Sequence, residues 1–171
     1  EITAQAYAER YHAARGDVTV LYRPARKRWL HALVEGARNR PGLVAVPTTL
    51  AGVRQLLKAL KLRKTVGLLP DQVPPEGLGV WSPFFGREAY TMTLSARLAQ
   101  QTGATVVLLW GERLPWGRGY VVHARELGVA LAPDAAESAR QINAAMERLI
   151  RECPGQYLWG YARYKKPKEA S

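Results

Sequence analysis

Residues 43–69 read LVAVPTTLAGVRQLLKALKLRKTVGLL, and three patterns follow one another in them. LVAVP is short and apolar, the signature of a strand. Thr48 or Thr49 is placed to cap a helix through LAGVRQLLKALK. TVGLL at 65–69 is then a further strand, wholly apolar in character. Strand, helix and strand in that order are the unit of an α/β fold whose sheet is buried and at least partly parallel.

The same alternation continues outward. Upstream, VTVLY at 18–22 is a strand ended by Pro24, with a helical pattern before it over residues 1–15, stopped by Gly16, and another after it over residues 26–40, closed by Pro41 and Gly42. Downstream, TMTLSARLAQQTG is a helix ending at Gly103, and ATVVLLWGERL pairs with GRGYVVHARE as a hairpin around a Leu-Pro-Trp-Gly turn. Asp134 caps a long helix, DAAESARQINAAMERLIREC, which Pro154 stops, and GQYLWGYARYKKP is expected to add one short helical stretch. The expected architecture is an α/β sandwich with a central mixed, partly parallel sheet flanked by helices. Its 171 residues correspond to one domain.

Between TVGLL and the next helix lies PDQVPPEGLGVWSPFFGREAY, where proline and glycine take 7 of 21 positions. No periodicity survives there, and a long loop, of the kind that carries function, is expected. Of the three aspartates, Asp17 sits in a turn and Asp134 at a helix cap. Asp71 follows an apolar strand at the end where open α/β sheets bind ligands, and a carboxylate there must be paired or solvated. Its role is functional or, alternatively, to stabilise a local turn; Gln72 beside it is a weaker candidate. The rings of Trp81, Phe84, Phe85 and Tyr90 either pin this loop to the core or line an apolar wall for an apolar chain or a lipid surface.

Composition sets the outer bounds. With 47% apolar and 23% charged residues the chain can bury a real core, which excludes a disordered segment. One cysteine, Cys153, and three histidines exclude an internal disulfide framework and a zinc site of the usual spacing; a cytoplasmic compartment fits. The longest apolar runs are far shorter than the roughly 20 residues of a membrane span. A net charge of +11, with 18 arginines against 7 lysines, points to an anionic partner: nucleic acid, an acidic membrane surface or a phosphorylated substrate. No G-x-S-x-G elbow, H-E-x-x-H helix or phosphate-binding loop is present. His31 and His123 fall in a helix and a strand with no carboxylate at useful spacing. The tail residues Trp159, Tyr161, Arg163, Lys165 and Lys166, with Trp81, Phe84 and Phe85, are expected to form a basic, aromatic surface that docks on anionic lipid.

Five blocks carry a resemblance in order along nearly the whole chain: AQAYAERY, VTVLYRP, GARNR, GLLPDQVPPEGLGVWSPFFGREAYTMTLSARLAQQTGA and QYLWGYARYKKP. In these the chain resembles the late acyltransferases of lipid A biosynthesis, the lauroyl/myristoyl transferase family, which is similar in turn to the glycerolipid acyltransferases. The resemblance implies a histidine, four intervening residues and a carboxylate just before the helix leading into the YRP strand. Glu1 takes that carboxylate position, so the histidine and a hydrophobic anchor are expected upstream and the chain is read as an N-terminally truncated acyltransferase domain, inactive by itself. His12 and Asp17 have the same spacing, but they run from a helix end through Gly16 into a strand and are read as chance.

By the same resemblance Arg38 matches an active-site arginine, Asp71 the acidic residue after the central strand, and Arg23 lies in a family block; Glu1, Arg38 and Asp71 are expected to converge as catalytic residues, with Arg23 and Gln72 binding substrate, and the alternative for Arg38 is a solvent-facing cation at a helix end. The implied donor is an acyl carrier protein thioester, the implied acceptor a hydroxyl of a phosphorylated lipid A precursor, and the implied place the cytoplasmic face of the inner membrane, against anionic lipid. No metal or organic cofactor is implied, and no nucleic acid is expected. The alternatives are a glycerolipid or phosphatidylinositol-mannoside acyltransferase, and a non-catalytic basic module that binds nucleic acid or an anionic membrane.

Overall fold

The computed structural model describes residues 17–22 and 42–169, with Tyr22 described by its backbone alone. The helices expected over residues 1–15 and 26–40 lie outside the described residues. The chain divides into two compact units, one ending at Leu68 and the other beginning at Leu69.

In the first unit, β1 (Val18–Tyr22), β2 (Leu43–Pro47) and β3 (Thr65–Gly67) form a sheet in the order β2-β1-β3, and both pairings are parallel. Val18 lies opposite Leu43 on one side and Thr65 on the other. The connection from β2 to β3 is α1 (Leu50–Lys61), as a parallel arrangement requires. Thr49 caps it by accepting a hydrogen bond from the Gly52 N–H at 3.3 Å, and Lys58 and Lys61 in the last turn favour the negative end of the helix dipole. Gly52, Leu56 and Ala59 are its buried stripe at helical spacing. Gly52 is required there, because a Cβ would meet the Pro47 carbonyl oxygen at 1.9 Å.

β3 departs from the expected strand. It is three residues long rather than five, and Thr65 is exposed while Val66 and Gly67 are only half-buried. Among the described residues it lies at one edge of the sheet, with pairing on the β1 side only. Asp17 and Lys64, the residues just ahead of β1 and β3, form an exposed ion pair at 2.5 Å, which gives Asp17 a structural role.

The second unit begins with a loop and then a hairpin that the sequence pattern concealed. β4 (Gly79–Phe84) and β5 (Arg87–Met92) pair antiparallel across Phe85 and Gly86, both with positive φ, at 49° and 72°. Two consecutive left-handed residues make the turn whose twist matches a hairpin. β4 turns Ser82 and Phe84 inward and leaves Trp81 46% exposed. This alternation carries a polar residue in and an aromatic one out, so the usual hydrophobic signal is scrambled. Of the four rings, Phe84 and Tyr90 belong to the core and Trp81 to the outer face.

α2 (Leu94–Thr102) ends at Gly103, whose φ of 68° makes it a left-handed stop. β6 (Val107–Arg113) and β7 (Tyr120–Glu126) form the expected hairpin, with Arg113 opposite Tyr120. α3 (Ala135–Glu152) is capped by Asp134, which accepts from the Glu137 N–H at 2.8 Å. Phe84, Ala89, Ala96, Ile142 and Met146 are the centre of this unit, with Leu108, Leu131, Ile150, Tyr157 and Tyr164 packed around them. After a 3₁₀ turn at Pro154–Gln156, the tail runs irregularly to Glu169 instead of forming a helical stretch.

The architecture is thus mixed α/β, but the described strands make three separate sheets rather than one: a parallel three-stranded sheet and two antiparallel pairs. Hairpin partners are set by short turns close in sequence. Joining hairpins to a parallel sheet depends on contacts that no local pattern encodes.

Candidate functional site

Asp71 lies in a turn at the start of the second unit, and the loop that carries it is held from several directions by phenol oxygens and the tail. The Val73 N–H donates to the Tyr161 hydroxyl at 2.8 Å. The Gly77 and Gly79 N–H groups both donate to the Tyr90 hydroxyl, at 3.0 and 3.2 Å, and the Glu76 N–H donates to the Lys168 carbonyl at 2.9 Å. Gly79 permits this approach, since a Cβ would come within 2.6 Å of the Thr91 carbonyl oxygen. Irregular backbone has no ladder of its own, and two phenol oxygens and a main-chain carbonyl of the tail supply the missing partners.

Burial pushes the Asp71 carboxyl above the usual carboxylate range; its own backbone N–H, the Arg163 guanidinium and the Tyr157 hydroxyl oppose the rise without cancelling it. The Tyr157 hydroxyl is buried and forms no hydrogen bond of normal geometry among the described residues, yet it lies close enough to Asp71 to favour the anion. Its own pKa is pushed up to about 12, first by burial and then by the Asp71 charge. A half-buried carboxyl with its neutral form favoured by desolvation and its anion supported by a cation can accept a hydrogen bond or exchange a proton.

Arg163 is the support behind Asp71. It is only 3% exposed. Its Nη1 donates to the Tyr90 carbonyl and its Nη2 to Thr91 Oγ1, both at 2.8 Å, with a longer contact of 3.4 Å to Asn143 Oδ1, while Nε has no partner among the described residues. Asn143 in turn donates to Thr91 Oγ1 and to the Pro83 carbonyl, each at 3.0 Å. The guanidinium therefore sits against β5 and α3 on neutral acceptors. Burial lowers its pKa, and the neighbouring Tyr157, Asp71, Tyr161 and Tyr164 act in the opposite sense.

This overturns the expectation that Arg163 belongs to a solvent-facing basic surface. Arg163 and Phe84 are both inside, and of the tail cations Lys165 and Lys166 are exposed. A buried charge is a tertiary property; the only trace of it in the sequence is a lone arginine among Tyr157, Tyr161 and Tyr164, residues whose rings pack while their tips stay polar. His123 also departs from expectation: its Nε2 lies 2.9 Å from Glu112 Oε2, and its ring stacks on Trp110 at 4.3 Å. Glu112 and His123 are diagonal neighbours across β6 and β7, a relation that spacing along the chain does not reveal.

Of the expected site residues, Asp71 and Gln72 are described. Gln72 exposes its side chain, and its N–H donates to the Leu69 carbonyl at 3.5 Å. Glu1, Arg23 and Arg38 lie outside the described residues, as does His12. Among the described residues no group of three or more His, Cys, Asp or Glu is arranged to hold a metal ion, and no helix is long and apolar enough to cross a membrane.

The model of one protein family, bacterial lipid A biosynthesis acyltransferase, matches residues 4–166, which take in both the Asp71 loop and the tail that carries Arg163. Among curated proteins, the lipid A biosynthesis lauroyltransferase of Escherichia coli (strain K12) is 32% identical over 120 residues, covering 68% of this chain. The chain spans 39% of that relative's length. A match over nearly all of the sequence, from the first helical pattern through the loop to the tail, is more than a shared motif could produce, and the chain belongs to the bacterial lipid A biosynthesis acyltransferase family.

Proposed function

We propose that the chain is part of an O-acyltransferase that moves a fatty acyl group from an acyl carrier protein thioester to a hydroxyl of a phosphorylated lipid A precursor, at the cytoplasmic face of the inner membrane. Membership of the family supports the reaction class, and the observation that carries the site is the half-buried Asp71 carboxyl backed by the buried Arg163. On this reading residues 1–171 belong to one acyltransferase domain with a glycerolipid-acyltransferase-like fold.

A histidine five residues ahead of Glu1 takes the proton from the acceptor hydroxyl. The hydroxyl oxygen attacks the thioester carbonyl, the new C–O ester bond forms as the C–S bond breaks, and the carrier leaves as its thiol. Glu1 holds the other ring nitrogen, fixing the tautomer and steadying the imidazolium. Arg38 and Arg23 pair with phosphate of the acceptor or of the carrier's prosthetic arm. Asp71 orients the acceptor through a hydrogen bond to one of its polar groups, with Gln72 at the exposed side of the same turn.

The experiment is transfer of labelled acyl group from an acyl carrier protein thioester to a phosphorylated lipid A precursor. The protein used carries this chain together with a histidine five residues ahead of Glu1. Label is expected in the acceptor, and removal of that histidine or Glu1→Gln is expected to lower the rate about 10²–10⁴-fold. No labelled acceptor, or an unchanged rate in both variants, would refute the proposal.

A further inference from the structure

The tip of the β6–β7 hairpin carries Trp116, 94% exposed. The tip is well defined: the Leu114 N–H donates to the Gly119 carbonyl at 2.9 Å, and Arg118 Nε donates to the Pro115 carbonyl at 3.3 Å. Trp116 and Gly117 are both left-handed, with φ of 61° and 70°. Glycine adopts this conformation freely, whereas tryptophan is crowded there by its Cβ. The crowding brings no burial in return. From residue 113 to 119 the chain has two arginines, Arg113 and Arg118, both exposed, and no acid. The adjacent carboxylate, Glu112, is engaged by His123.

We propose that this tip is a contact site for an anionic lipid bilayer, with Trp116 entering the headgroup boundary and Arg113 and Arg118 set against lipid phosphates. An isolated ring on a narrow turn has no concave surroundings with which to match a protein surface. The bilayer boundary needs none, and an indole with its apolar body and polar N–H suits it. The net charge of +11 draws the chain toward negative lipid, and a turn already locked by its own hydrogen bonds presents the ring without further ordering. The inference names the element responsible for the membrane contact in the proposed function and rests on that part of it. Vesicle binding is measured without acyl transfer, so either can fail alone.

The test is co-sedimentation of the 171-residue chain with phosphatidylglycerol/phosphatidylcholine vesicles and with phosphatidylcholine vesicles, at low salt. Binding to the anionic vesicles only is expected. Trp116→Ser should lower the partition coefficient about ten-fold, and Arg113→Ser and Arg118→Ser about five-fold each. Trp116→Tyr should restore most of the loss, and thermal unfolding should match the parent in both Trp116 variants and in Arg113→Ser, whose side chains are exposed. The proposal is overturned if Trp116→Ser sediments like the parent, if phosphatidylcholine vesicles bind as well as anionic ones, or if the parent binds neither. It is equally overturned if Trp116→Ser weakens binding to an acidic acyl carrier protein while leaving vesicle binding intact.

Discussion

Replacing Arg163 with methionine removes a buried charge and its hydrogen bonds while keeping much of the volume. Two short bonds are lost, to the Tyr90 carbonyl and to Thr91 Oγ1. Thr91 Oγ1 keeps the Asn143 amide and its own donation to the Ala89 carbonyl at 3.0 Å. Among the described residues the Tyr90 carbonyl has no such reserve, because β5 pairs with β4 on one side and the guanidinium caps the other. Leaving a buried carbonyl unpaired costs about 1–3 kcal/mol, and a hydrogen bond from a charged donor contributes about 1.5–3 kcal/mol. Against this stands relief from burying a guanidinium with an unpaired Nε. The net expectation is a destabilisation of about 2–4 kcal/mol, a melting midpoint lower by roughly 6–12 °C for a chain of this length.

Circular dichroism in urea and on heating reads the loss directly. Carboxyl-labelled NMR of Asp71 supplies the second readout: with the cation gone, the Asp71 pKa should move further up. Arg163→Lys should keep the charge but serve only one acceptor, and fall between parent and Arg163→Met. A methionine variant as stable as the parent would refute the reasoning, since buried ionic groups are sometimes replaced by apolar ones without loss.

Two further outcomes follow from the same geometry. Because the folded pKa of Asp71 is raised above 3.8 by burial, its ionised form costs the folded state stability, absent below about pH 3.8 and growing as pH rises through the folded value. Asp71→Asn should therefore stabilise the fold at about pH 7 relative to its effect near pH 3, by about 1.4 kcal/mol for each tenfold by which folding weakens the acid; an equal effect at both pH values in denaturant titrations would contradict the burial argument. Gly52→Ala drives a Cβ to 1.9 Å from the Pro47 carbonyl and should cost about 3 kcal/mol or more, seen as a loss of hydrogen-exchange protection in β1 and β2. Unchanged protection there would show that α1 can shift away from β2.

Local signals carried much of this protein in the sequence alone. Thr49, Gly103 and Asp134 mark helix ends by their own chemistry, and β-branched runs mark β1 and β2, because capping and strand preference act within a few residues. Five ordered blocks were enough to indicate the family, and Asp71 stood out as an aspartate without a local explanation. What the tertiary structure decided is where long-range contact overrides local pattern. The β4–β5 hairpin hid behind Pro83 and a Phe-Gly turn, since its pairing is secured by Ser82 and Phe84 packing inward. The Glu112–His123 pair exists because strands place diagonal neighbours side by side. Arg163 looks like a surface cation in the chain and becomes a buried support only because Tyr90, Thr91 and Asn143, drawn from a strand and a helix distant in sequence, converge to solvate it in place of water.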